Sequence, residues 1–396
     1  MCSTDVEQVG GRPSTPQESE FPPMGKWMMR ARKPKHRLIL TVAVTAAIVV
    51  AGLQGLATAS AQNTEPSGRA WHSLVADGIG FAWLFGGATA NGRSDELWSL
   101  DVSMQTWSAV SPKSKKNPGP RHGHASAYDT DQDLHIIFGG ASPVARKSAF
   151  LADTWFYSPV SNRWNSSVGC PTDGGGGGPG KKGGGGKGSG GKASGPAERM
   201  LAAMAYNPTT REVTLFGGDD PDQNILFGDT WTLQVIDGES CWTNEGALDP
   251  TPSPRTMAAM TWVWSRGTVV LHGGRDSRNL CDLWEWDGDA WSLINASDGP
   301  CLRDHSLAFD DSGRLIAFGG QLNPKDASEP NLSTFFYDFT TDAWTESPRL
   351  SPVEPPRAGA PAVRDVGTDS LILFGGTAGV FFFDDTLIIP ISDLTN

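Results

Sequence analysis

Tyrosine is scarce in this sequence of 396 residues, which has four tyrosines but 15 tryptophans. Such an excess of tryptophan suggests a repeated structural role for that side chain. Cysteine is also scarce, with five in the chain, and none of them forms a CxxC motif or a Cys/His cluster with the spacing of zinc ligands. A zinc site is therefore not expected, and we predict no metal site and no cofactor.

Positive charge is in deficit as well, since the formal net charge is −12. The first 61 residues carry seven Lys/Arg against four Asp/Glu, or +3, so residues 62–396 carry −15. Such an acidic body repels phosphate groups, which argues against nucleic acid as a partner. Residues 62–396 also lack helical periodicity, while a hydrophobic content of 38% is enough for a real core.

The N-terminus divides into two segments. Residues 1–37 are polar, end in the basic run "RARKPKHR" and are expected to be disordered. Residues 38–61 contain no charge, so they indicate either a transmembrane signal-anchor or a signal peptide that is cleaved near Ala61. Either alternative predicts the secretory pathway, as a single-pass type II membrane protein or a secreted protein, with membrane contact through this segment alone.

Three glycosylation sequons agree with that location, and the protein is expected to be a glycoprotein. They begin at Asn165, Asn295 and Asn331. Apart from Cys2, the even number of four cysteines suits an oxidising compartment.

A short motif recurs along the chain at a nearly regular interval. An apolar run ends in a glycine doublet six times, as in "HIIFGG" at 135–140. The doublets end at Gly87, Gly140, Gly218, Gly274, Gly320 and Gly376. Only the second interval is unusually long, and it contains the Gly/Lys-rich tract 174–195, whose composition predicts a disordered insertion.

Three further marks accompany each doublet. A D-x-W motif or a variant of it follows at Asp95–Trp98, Asp153–Trp155, Asp229–Trp231, Asp282–Trp284, Ser333–Phe335 and Asp385–Leu387. A second tryptophan comes seven to eleven residues later, at Trp107, Trp164, Trp242, Trp291 and Trp344. Each copy opens on an arginine, namely Arg69, Arg121, Arg199, Arg255, Arg303 and Arg357.

Short apolar runs bounded by Gly, Pro and Asp predict four strands in each copy. With these marks at matching spacing, residues 66–396 resemble the kelch-repeat β-propeller family. The resemblance implies an all-β fold, a monomeric six-bladed propeller of four-stranded antiparallel blades. Because only nine residues follow Leu387 and none is a closing tryptophan, we expect an incomplete sixth blade and a frayed C-terminus at 391–396.

The six arginines begin the innermost strands, so two alternatives exist for them. They either hold the blades together through backbone carbonyls and aromatic rings, or they line the rim of the central channel and bind a carboxylate. The structural alternative is favoured, because such an arginine is a common mark of the kelch family.

Histidines and cysteines supply the remaining candidates. His72, His124 and His305 fall on inner strands with His122 beside one of them, but alanine takes the matched position in the other copies. We therefore interpret them as structural rather than as metal ligands or bases. Strand direction places Cys281 and Cys301 on the same face of adjacent blades, which predicts a disulfide.

These features favour binding over catalysis, and no catalytic residue is assigned. We expect a non-cytosolic propeller that serves as a scaffold for a protein or a glycan. The alternative, suggested by resemblance to sugar-acid epimerases with kelch rings, is a small-anion binder or enzyme that uses the arginine rim for an acidic sugar.

Overall fold

The computed structural model describes residues 64–143, 149–167, 169–170, 195–310, 312–322, 331, 333–347 and 356–395. The segments predicted at 1–37 and 38–61 lie outside these residues, as does the insertion 174–195 except for Gly195. The described residues are almost entirely strands and turns, as the missing helical periodicity predicted.

Five four-stranded antiparallel sheets and one three-stranded sheet follow one another along the chain, and we call them blades one to six. Blade one has Ser73–Ala76, Phe81–Phe85, Leu97–Asp101 and Thr106–Val110; blade two has Ala125–Asp129, Leu134–Phe138, Thr154–Ser158 and Arg163–Ser166; blade three has Ala203–Asn207, Glu212–Phe216, Thr230–Ile236 and Glu239–Asn244. Blade four has Ala259–Val263, Thr268–His272, Leu283–Trp286 and Trp291–Asn295; blade five has Ser306–Phe309, Arg314–Phe318, Thr334–Asp338 and Ala343–Ser347; blade six has Ala362–Asp365, Ser370–Phe374 and Thr386–Pro390.

Shorter elements lie between these strands. Seven two-residue strands occupy Arg69–Ala70, Ala88–Thr89, Gly92–Arg93, Asp219–Asp220, Ile225–Leu226, Thr377–Ala378 and Phe381–Phe382. A short helix, Ile391–Thr395, ends the described chain, and the side chain of Ile391 is buried against blades five and six. The segment 391–396, predicted to be frayed or weakly paired, thus begins as a short helix that an apolar residue anchors.

The second strand of each blade carries the apolar run and is nearly inaccessible to solvent. In blade two, Ile136 lies between Ala127 on the first strand and Phe156 on the third. The same three side chains join a core cluster with Leu215 and Trp231 of blade three. The core of the protein is thus the set of apolar layers between neighbouring blades, which explains why these strands do not alternate apolar and polar residues.

The blades form a closed ring, because the first strands of neighbouring blades are in contact all the way round, including blade six with blade one. One residue per blade, each with a positive φ, joins a cycle of backbone N–H to carbonyl bonds of 2.7 to 3.1 Å. Each of the following donates to the next and the last donates to the first: Trp71, Gly359, Asp304, Met257, Leu201 and Gly123. Closure between blades six and one is therefore part of this cycle.

The glycine doublets end the second strands where the next blade approaches most closely. Gly217 has φ +71°, and a Cβ atom there would lie 2.4 Å from the carbonyl oxygen of Arg255 on the next blade. Gly218 has φ +92° and donates a hydrogen bond of 2.8 Å to that same oxygen. A side chain at Gly217 would therefore push the next blade away, whereas one at Gly218 would collide with the Met200 carbonyl oxygen of its own copy.

Candidate functional site

The predicted arginines lie inside the blades rather than on an open rim. Five of them are almost fully buried and bind the acidic residue of their own copy. The pairs are Arg69 with Glu96, Arg121 with Asp153, Arg199 with Asp229, Arg255 with Asp282 and Arg357 with Asp385. Each guanidinium group also donates to the carbonyl of the first glycine of its doublet.

Blade four shows the geometry of this ion pair. Arg255 donates from Nη1 and Nη2 to both oxygens of Asp282, each at 2.7 Å, and from Nη1 to the Gly273 carbonyl at 2.9 Å. The indole of Trp284 donates to the same carboxylate at 2.7 Å. Burial opposes ionisation of Asp282, but its bonds to Arg255 hold its pKa below the usual value. Because these donors are occupied within the blade, the geometry supports a structural role for the arginines and not anion binding.

Arg303 departs from this arrangement, and its assignment to the arginine set requires correction. Leu302 occupies the equivalent position, since its carbonyl accepts from Gly274 at 2.8 Å as the Arg255 carbonyl accepts from Gly218. Arg303 instead donates to the side-chain oxygen of Gln321. The fifth copy has also lost the acidic partner, because Ser333 stands where the other copies have Asp or Glu.

The second tryptophans join neighbouring blades, which the sequence pattern alone did not reveal. Trp242 and Trp291 donate from Nε1 to the threonine of the preceding blade's D-T-W motif, at 3.0 and 2.8 Å. Trp107 of blade one donates at 2.8 Å to Thr386 of blade six and so takes part in ring closure. The middle residue of D-x-W was the signal that could have predicted this contact.

The inner histidines are buried between blades. The Cε1 atoms of His72, His124 and His305 lie near the first glycine of the preceding blade's doublet. Burial lowers the pKa of each well below the ordinary value, so the rings are neutral. His122 is less deeply buried and accepts a hydrogen bond of 2.9 Å from Arg93. Within the described ranges no three His, Cys, Asp or Glu side chains form a group that could hold a metal ion.

The central channel has two distinct ends. At the face that carries the glycine doublets, here called the glycine face, a cavity of about 200 Å³ is bordered by Trp71, Leu201, Met257 and Asp304. The indole of Trp71 passes over Gly359 and donates at 3.1 Å to Oδ1 of Asp304. Burial raises the pKa of Asp304 despite this bond.

The opposite face contains the loops that join strands one to two and three to four, and we call it the hairpin face. A cavity of about 260 Å³ opens there, and we call it the hairpin-face cavity. The seventh residue after the position of the buried arginine lines this cavity in every blade. These six residues are Ala76, Tyr128, Tyr206, Trp262, Phe309 and Arg364. Trp264 adds a further aromatic wall, with its ring perpendicular to that of Trp262 at 5.9 Å.

Two pairs of cysteines lie within bonding distance. The sulfur atoms of Cys281 and Cys301 are 1.92 Å apart and link blades four and five. Those of Cys170 and Cys241, which had no predicted partner, are 2.06 Å apart and link the segment after blade two to the last strand of blade three.

The predicted glycosylation of Asn295 and Asn331 conflicts with their positions. Both side chains are buried, and each accepts a hydrogen bond from a nearby backbone N–H. Asn165, on the outer strand of blade two, is exposed. Two of the three sequons are therefore inaccessible to a transferase in the folded protein.

The ring of blades, the glycine doublets and the buried Arg–Asp–Trp contacts define a kelch-type β-propeller. The chain belongs to the family described as the KLHDC2/KLHL20/DRC7 Kelch-repeats domain, whose model matches residues 54–175 and 193–395. The predicted kelch-repeat family is thus confirmed.

Several curated proteins share part of this sequence. Kelch domain-containing protein 10 of Xenopus tropicalis is 27% identical over 197 residues, which cover 49% of this chain and 40% of the relative. The Homo sapiens protein of the same name is 24% identical over 221 residues, 54% of this chain and 42% of the relative. Tip elongation aberrant protein 1 of Schizosaccharomyces pombe is 27% identical over 203 residues, 46% of this chain and 16% of the relative. The matches thus span less than half the length of these relatives.

The predicted secretory-pathway location is wrong. Among the relatives that the chain matches, Kelch domain-containing protein 10 is not a protein of that pathway. No helix in the described part of the chain is long and apolar enough to cross a membrane. The segment 38–61, on which the prediction depended, lies outside that part.

Proposed function

We propose that this protein is a scaffold that binds a protein partner through the hairpin face of its propeller. The observation that carries the proposal is a set of large apolar side chains exposed in the loops of that face. They are Ile79, Met104, Val160, Trp264 and Val366, whose side chains are 49 to 84% exposed. Such side chains are more numerous on this face than on the glycine face, where Val380 and Phe381 are also exposed. Exposed apolar groups are typical of interaction sites, and tryptophan is enriched among residues that dominate binding energy.

Two of these side chains, Trp264 and Val366, also border the hairpin-face cavity. A partner that covers them would therefore also close one end of the channel. The framework beneath is rigid because five of the six blades contain a buried ion pair and the blades form a closed ring. A rigid platform loses little conformational entropy on binding, which favours affinity.

The alternative of an acidic sugar ligand has weaker support. It required arginine side chains with free donors on an open rim, and five of the six arginines bind a carboxylate within their own blade. Belonging to the kelch-repeat family supports a protein partner over a glycan.

The test compares the full-length protein with the Val366→Asp and Trp264→Ala variants. Proteins that co-purify with the wild type but not with Val366→Asp are expressed alone. Each is then titrated against the wild type, the two hairpin-face variants and a control variant. We expect Trp264→Ala to weaken direct binding at least tenfold, while Leu293→Ala, at an exposed position on the outer strand of blade four, leaves it unchanged. Binding that is insensitive to both hairpin-face changes would contradict the proposal.

A further inference from the structure

Charge on the hairpin face is strongly one-sided. Within its described loops the ionisable groups are nine aspartates and two arginines. The aspartates are Asp77, Asp131, Asp133, Asp237, Asp287, Asp289, Asp310, Asp342 and Asp369. The arginines are already paired, Arg211 with Asp131 and Arg266 with Glu285. The face therefore attracts a cationic partner.

Two of these carboxylates, Asp77 and Asp133, lie close to a third, Asp365, at the end of the first strand of blade six. Asp77 lies between Ala76 and Gly78, which both line the hairpin-face cavity. Burial raises the pKa of Asp77, and the like charges of Asp365 and Asp133 raise it further. A cation placed at the cavity would relieve this repulsion.

The cavity walls supply a second and independent feature. Tyr128, Tyr206, Trp262, Trp264 and Phe309 present aromatic rings from four successive blades. The faces of such rings attract a cation, most strongly in the case of tryptophan.

The Tyr206 hydroxyl is a buried polar group of the cavity wall, beside the carboxylates of Asp129 and Asp131. Tyr206 is only 8% exposed, and its hydroxyl group makes no hydrogen bond of acceptable geometry among the described residues. Burial raises the pKa of this hydroxyl, and the nearby carboxylates of Asp129 and Asp131 raise it further. Its oxygen is therefore neutral and available to accept a bond from an N–H donor.

The one cationic residue among the cavity walls is Arg364, and its charge is largely neutralised. Its guanidinium group donates to Asp369 at 2.7 Å and to the Phe309 carbonyl at 3.3 Å. It therefore closes one side of the cavity without repelling a cation from the other sides.

The size of the cavity restricts its occupant. A volume of about 260 Å³ lies below the roughly 300–1,000 Å³ of pockets that hold whole small-molecule ligands. It suits one long side chain better than a cofactor.

We propose that the hairpin-face cavity receives a lysine or arginine side chain from a basic segment of the protein partner. Its aromatic walls would contact the cation, the Tyr206 hydroxyl would accept one of its N–H groups, and Asp77, Asp133 and Asp365 would neutralise its charge. This inference rests on the proposed function and names the chemistry of the partner.

The test is a selection of random dodecapeptides displayed on phage against the immobilised full-length protein. We expect the enriched peptides to carry lysine or arginine, and replacement of one such residue by glutamine to weaken binding at least tenfold. In the protein, Trp264→Ala and Asp77→Asn should each weaken binding at least fivefold. The asparagine oxygen can still accept the backbone bonds from Ile79 and Phe81 that Asp77 accepts now, and thermal unfolding checks that each variant folds.

Matched variants separate the cavity from general attraction to an acidic protein. Asp222→Asn removes the same charge from an exposed loop of the glycine face, and Leu293→Ala removes an exposed apolar side chain from the outer strand of blade four. Both should bind within twofold of the wild type. Basic peptides that bind all four variants equally would overturn the proposal. Enriched peptides without basic residues would overturn it while leaving the scaffold function intact, whereas enrichment of no peptide at all would count against both.

Discussion

The indole nitrogen of Trp71 donates a hydrogen bond of 3.1 Å to Oδ1 of Asp304, a residue 233 positions further along the chain. The bond crosses the glycine face of the channel, from blade one over blade six to blade five. Gly359 makes this path possible, because a Cβ atom there would lie 2.7 Å from the indole nitrogen. One contact thus depends on three blades being in place.

Replacing Asp304 tests this bond. Asp304→Asn keeps an oxygen acceptor and removes a charge whose ionisation burial opposes, so we expect the free energy of unfolding to change by less than about 0.5 kcal/mol. Asp304→Ala leaves the indole donor without an acceptor and should cost about 1–3 kcal/mol. Urea denaturation measures both, and equal losses for the two variants would show that charge rather than hydrogen bonding matters here.

The buried ion pairs predict a difference between two arginines. Arg255→Ala leaves the carboxylate of Asp282 without its charged partner, which should cost about 3–5 kcal/mol. Arg303→Ala should cost less, because among the described residues the Arg303 guanidinium donates to the neutral Gln321 side chain rather than to a carboxylate. Denaturant unfolding of both variants checks the order, and a larger loss for Arg303→Ala would contradict the assignment of Leu302 to the framework position.

The contact between Thr230 and Trp291 predicts a specific requirement for a hydroxyl group. Both side chains are about 1% exposed, so Thr230→Val has nearly the same shape but leaves the indole donor unsatisfied. We expect a loss of about 1–3 kcal/mol for valine and a smaller loss for Thr230→Ser, which keeps the acceptor. Unfolding midpoints in urea measure the difference. If serine and valine are equally harmful, packing of the methyl group is the dominant effect.

The buried histidines predict that acid destabilises the protein. Burial lowers the pKa of His135 and of His272 to about 3, whereas the unfolded chain takes up protons near the ordinary value of about 6.5. The unfolded state then binds more protons, so stability is complete above about pH 6.5 and falls as the pH decreases towards 3.

His135→Phe tests this effect, because neither ring nitrogen of His135 has a hydrogen-bond partner among the described residues. We expect the pH dependence of unfolding between 6.5 and 3 to decrease by up to one proton, about 1.4 kcal/mol per pH unit. At pH 8 the two proteins should show the same pH slope. An unchanged slope in acid would mean that the buried ring is already protonated.

The architecture was predictable from the sequence because the glycine doublet, the D-x-W motif and the arginine recur in most copies. Each of these motifs is required by contacts within or next to its own blade. The doublet Gly217–Gly218 needs positive φ in any copy, and Asp282 appears two residues before Trp284 because its carboxylate accepts from both the buried arginine and that indole. The exception at Leu302 was also visible, since Arg303 lies one residue closer to His305 than Arg69 and Arg121 lie to their following histidines.

The candidate site was not predictable in the same way. The hairpin-face cavity combines side chains from all six blades, and although one lining position, that of Tyr206, recurs in every blade, its residue type varies from alanine to arginine and tryptophan. The exposure of Trp264 depends on a loop conformation rather than on a motif. The arginines were candidates for anion binding because they are charged and recur at a regular spacing. That spacing instead reflects their structural role within each blade.

The cycle of backbone bonds through Trp71 and Gly359 has a further consequence for how the protein unfolds. A row of stacked repeats has two ends, from which units can detach one at a time. A ring has no terminal unit, and removing any blade exposes apolar surface on two neighbours at once. We therefore expect the blades to unfold together in one cooperative transition. A destabilising change in a single blade would then lower the free energy of unfolding of the whole propeller.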